Sequence, residues 1–101
     1  MKAILIPVNG KSKLIEIDNE LEALQKAVGG YIETVTIASD CCLIVDVDEE
    51  GALKGKPINS TASRLGAPLV GDVLVVGVHY DHFVDIPEPM IEMMKERFNV
   101  L

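Results

Sequence analysis

The sequence predicts a single α+β domain, a mainly antiparallel sheet of about five to six strands with two main helices and one short helix. Three observations carry that reading. Short β-branched segments recur along the chain, alternating apolar with polar residues or running apolar throughout. Two stretches, residues 21–28 and the one following Asp85, carry apolar residues at helical spacing instead. The resulting order, two strands, helix, two strands, short helix, two strands, helix, suits hairpins covered by helices rather than repeated parallel crossovers.

Residues 1–8 are apolar and β-branched enough for a strand, and Asn9-Gly10 reads as a hairpin turn because both residues tolerate positive φ. The return strand, 13–17, alternates through Leu14, Ile15, Glu16 and Ile17. Asp18 or Asn19 is the expected cap of the first helix. Leu21, Leu24 and Val28 form its apolar stripe, Glu22, Gln25 and Lys26 its wet face, and Gly29-Gly30 its left-handed stop. Residues 31–37 alternate again, placing Tyr31 and Glu33 two apart and so on one face. Ser39-Asp40 turns the chain into 41–47, whose Leu43-Ile44-Val45 start suggests a central strand.

Residues 48–51 form a polar turn and 52–58 an irregular stretch. Asn59 or Ser60 caps a short helix through Leu65, and 66–71 is a loop. Residues 72–78, DVLVVGV, are the strongest strand and should be buried on both faces. Tyr80-Asp81 then turns into a short strand, 82–84. Asp85 is the expected cap of the last helix, with Glu88 completing an approximate capping box, and Met90, Ile91, Met94 and Phe98 are its apolar face.

The 101 residues suffice for one core and not two, so 1–101 is read as one domain. A net charge of −7 argues against a nucleic-acid groove, which needs clustered Lys and Arg. The run Ala3 to Ile6 ends at Pro7, too short for a signal peptide, and no segment has the length of a membrane span. Cys41 and Cys42 are adjacent and unsuited to bridging each other. They read as free thiols of a reducing cytoplasm.

Four groups of residues have chemical potential. Asp46, Asp48, Glu50 and Gly51 imitate the start of a calcium loop, but Pro57 stands where the bidentate Glu belongs, so that reading is set aside. His79, Asp81 and His82 place three ligand types within one turn, without further ligand spacing; a pair of exposed hairpin residues is the simpler account. Glu33 with Asp48 or Glu49 would be the minimum for general acid–base hydrolysis, against ordinary hydrogen bonding on the sheet and in turns. Lys54, Lys56, Asn59, Thr61 and Arg64 bring cations and a hydroxyl to the start of a helix, which suits an anion as well as it suits a capped turn. No cofactor motif or metal-ligand set accompanies them.

Four segments, ILIPVNG, EIDNELEALQKAVGGYIETV, VDEEGALKGKPINSTAS and GDVLVVG, together resemble the small family called domain of unknown function 3846, carried by phages and conjugative elements of bacteria. The resemblance covers residues 3–78. It implies a cytoplasmic accessory protein of a mobile element and brings no known activity. The family's recurring polar positions fall on Tyr31, Glu33, Asp48, Glu49, Gly51, Pro57, Asn59 and Ala62.

The expected function is therefore a non-enzymatic binding module whose partner is a host protein or a small anionic, nucleotide-like ligand, in a counter-defence setting. Its ligand residues would be Tyr31, Glu33, Asp48, Glu49, Lys56, Asn59, Thr61 and Arg64. The alternatives are a small hydrolase using Glu33 with Asp48 or Glu49, and an acidic protein–protein inhibitor. A homodimer is also expected, from apolar surface left uncovered by residues 72–78 and by the Met-rich last helix.

Overall fold

The computed structural model describes residues 1–46, 54–66 and 68–100. Its elements are β1 (Lys2–Ile6), β2 (Lys13–Glu16), α1 (Leu21–Val28), β3 (Ile32–Ala38), β4 (Cys41–Asp46), α2 (Ser60–Ser63), β5 (Val73–His79), β6 (His82–Val84) and α3 (Glu88–Phe98). The six strands form one sheet in the order β2-β1-β5-β4-β3, with β6 paired to β5, and every pairing is antiparallel. The fold is the expected sheet-rich α+β type. The polar turn expected at 48–51 lies outside the described residues.

The alternation of the strands sorts the core into two layers. Ile4, Ile6, Leu43, Val45, Val73 and Val75 face α3 and Ala62 of α2. Ala3, Cys42, Ile44, Leu74 and Val76 face Leu24 and Val28 of α1. β4 and β5 are therefore apolar on both faces, as their continuous runs require. Val73 through Val76 are fully buried within the single chain, so the uncovered β5 surface invoked for a dimer is absent. Both cysteines are buried free thiols.

Several local expectations give way to tertiary contacts. The β1–β2 hairpin forms, but residues 7–12 connect it, because Pro7 has no N–H for the ladder, and within that connection only Gly10 has positive φ. Leu21 is 58 % exposed and does not pin α1; Leu24 and Val28 do. Neither Asp18 nor Asn19 caps α1: Glu20 stands there without a side-chain bond, and Asn19 donates to the Phe83 carbonyl instead. Asp85 likewise accepts from the Lys2 amide at 2.8 Å, leaving Pro87 at the α3 N-cap. Asn59 does cap α2, accepting from the Ala62 N–H.

Candidate functional site

The densest polar cluster among the described residues lies where α1 ends against the last residue of β4. Asp46 follows Ile44 and Cys42 on the α1 face, and its side chain is fully buried. A carboxylate in that position needs a cation. Lys56 supplies it, with Nζ 2.7 Å from Asp46 Oδ2. The same ammonium donates to the Val28 carbonyl at 2.7 Å and to the Gly29 carbonyl at 3.1 Å. Three donors thus meet three acceptors, and Lys56 acts as a C-terminal cap on the negative end of α1. Lys54 adds a second bond to the Gly29 carbonyl at 2.8 Å and stands 3.7 Å from Asp46.

The double glycine is shaped by this cluster. Gly29 adopts φ 78°, the left-handed stop of α1. Gly30 has a different reason: a Cβ there would collide with the Asp46 carboxylate. Lys56 also needs a glycine beneath its stem, since a Cβ on Gly71 would come within 2.9 Å of Cδ.

The sequence-selected residues among those described do not all share one face of the sheet. Glu33 stands opposite Val45, so it lies on the α3 face, across the sheet from Asp46 and Lys56. Tyr31 is 69 % exposed just before β3. Asn59 is fully buried and its amide is spent internally, donating to Ile6 and Gly71 carbonyls at 2.9 Å each while accepting from Ala62. Arg64 stacks over Phe98, 4.5 Å from the ring centroid, on the α3 side. Thr61 is half-buried on α2. Asp48 and Glu49 lie outside the described residues.

His79, Asp81 and His82 sit on the exposed β5–β6 hairpin, where His82 Nε2 is 3.4 Å from Asp81. No group of three His, Cys, Asp or Glu suited to a metal ion occurs among the described residues. No described helix is long and apolar enough to cross a membrane. Cys41 and Cys42 are poor nucleophiles: burial, with the neighbouring Asp40, pushes the Cys41 thiol up to about 12, and burial raises Cys42 as well.

Beside the lysine cap, a cleft of about 350 Å³ opens between the end of β1, the end of α1 and the segment entering β5. Val8, Val28 and Pro57 give it apolar walls, and Lys26, Lys56 and Asp72 its polar groups. Asp72 already accepts from the Val8 amide at 2.9 Å, which fixes that wall. Of the residues named from sequence, only Lys56 lines this cleft; Lys26 was read as a solvent-facing helix residue.

Comparison with known proteins bears on the family. No curated protein and no solved structure matches the chain. A family model does, over residues 1–99, nearly the whole length, and it includes the GGYIE segment, Lys56 and the Asn59 cap. The chain belongs to the family described as Domain of unknown function (DUF3846).

Proposed function

We propose that this protein is a non-enzymatic binding module of a mobile element, and that it seats a small anionic ligand in the cleft beside Lys26 and Lys56. The observation that carries the reading is the cleft itself. Its volume of about 350 Å³ falls in the range of small-molecule sites, and two lysines stand among apolar walls. Lys56, whose three N–H donors are taken by Asp46 and the Val28 and Gly29 carbonyls, is a fixed wall of the cleft. Lys26, exposed in the last turn of α1, is the adaptable cation that would close on an anionic group. Asp72 keeps acceptor capacity for a hydroxyl or amino group of the same ligand. A phosphate-bearing nucleotide has both features.

The test is a thermal-shift and calorimetric titration of the full chain with inorganic phosphate, cyclic AMP and ADP-ribose, repeated on Lys26→Glu. Stabilisation by a nucleotide that Lys26→Glu abolishes, with an unchanged circular dichroism spectrum, supports the reading. Absence of any shift at millimolar ligand, or a shift that Lys26→Glu leaves intact, overturns it.

A further inference from the structure

β3 is the outer strand of the sheet, on the side opposite β2. It runs in unbroken register with β4 from Ile32 to Thr36, and the ladder becomes irregular only between Thr36 and Ala38. No described strand pairs with its outer edge. Its sequence, IETVTIA, has no proline and no lysine, and Glu33 is its single charge. The opposite edge contrasts with it: β2 has four residues, and Lys13 and Glu16 are two of them. Thr34 and Thr36 are exposed on β3.

We propose that β3 pairs antiparallel with β3 of a second copy of this chain, about a two-fold axis through Thr34, joining the two sheets edge to edge. The register follows from three constraints. Directly opposed residues share a face, so the axis must pass through a residue rather than between two. An axis at Glu33 would set two carboxylates against each other. An axis at Val35 would carry the new ladder into the irregular end of the strand. Centring on Thr34 uses the whole regular segment: Thr34 meets its own copy, Glu33 meets Val35, and Ile32 meets Thr36, with no like charges opposed. Tyr31, 69 % exposed, then arrives beside Ile37 of the second copy. Self-complementarity in this one register is what selects a second copy over an unrelated peptide.

A ladder of this length buries less than a permanent dimer does, so association should be reversible and concentration-dependent. Sedimentation velocity of the full chain, from about 5 to about 500 μM, should show monomer passing to dimer, as expected for so small an interface. Thr34→Lys should remain monomeric throughout, with an unchanged circular dichroism spectrum. Register is read by mild oxidation of two variants. Thr34→Cys should cross-link, because opposed Cα atoms lie about 5 Å apart. Thr36→Cys should not, because its copies would lie about 13 Å apart along the strands. A monomer at every concentration, a dimer indifferent to Thr34→Lys, or equal cross-linking of both cysteine variants overturns the proposal.

Discussion

Replacing Lys56 by methionine tests the central contact of the molecule. The substitution keeps most of the stem that crosses Gly71 and removes the ammonium. Two carbonyls at the end of α1 lose a donor, and Asp46, with no side-chain exposure, loses the cation 2.7 Å away. Deleting one partner of a buried ion pair costs about 3–5 kcal/mol. Lys54 is still 3.7 Å from Asp46, but its side chain is 41 % exposed and it holds the charge less well. The lower end of the range, about 3 kcal/mol, is the expected loss. For a domain of this size that lowers Tm by roughly 12 °C or more. Urea unfolding followed by circular dichroism gives the free energy directly. The double variant Lys56→Met/Asp46→Asn should lose less than the sum of the single losses, by about 1 kcal/mol or more, because the neutral amide no longer needs the cation. A Lys56→Met loss below about 1 kcal/mol, or simple additivity, would refute the claim that this pair fastens α1 to the sheet.

Gly30→Ala should destabilise by about 1–3 kcal/mol in the same assay, since its Cβ meets a carboxylate that Lys56 holds in place. Asn59→Ala strands two carbonyls and one N–H in the interior and should cost about 3 kcal/mol or more, read as a fall in the urea midpoint. Tyr80 has φ 55° and is 88 % exposed, so Tyr80→Asn should raise stability by about 0.5–1 kcal/mol, measured as a higher Tm. Cys41 ionises near 9.0 when unfolded and near 12 when folded. The unfolded chain therefore releases its proton first, and stability should be level below pH 9 and decline as pH rises from 9 toward 12. Folded protein should correspondingly resist iodoacetamide at pH 8 until denaturant is added.

What was legible in the sequence was governed by local rules. Continuous apolar runs marked β4 and β5 as inner strands, and Asn59 was recognisable as a cap because its partner is three residues away. Asp85 and Asn19 looked like caps for the same reason, yet their side chains bond to Lys2 and Phe83, distant in sequence, and those contacts prevailed. The cleft was missed because it is built from four separate segments, and Lys26 shows no local sign of lining it. Lys56 was singled out as an anion-binding residue. Its true partners, Asp46 and the end of α1, became visible only once the sheet had placed them together.

The strand order also governs when the fold can close. β1 is an interior strand, yet its inner neighbour is β5, Ile4 pairing with Val75, and its first residue is held by Asp85 and Ile86. During synthesis the β1–β2 hairpin therefore emerges with the inner edge of β1 unpaired, while α1, β3 and β4 follow it from the ribosome. Closing that gap fixes a long loop before its contacts form, so docking of β5 is the expected slow step of folding. A nascent chain arrested before Val73 should bind a hydrophobic-surface dye, and one that includes the last helix through Phe98 should not.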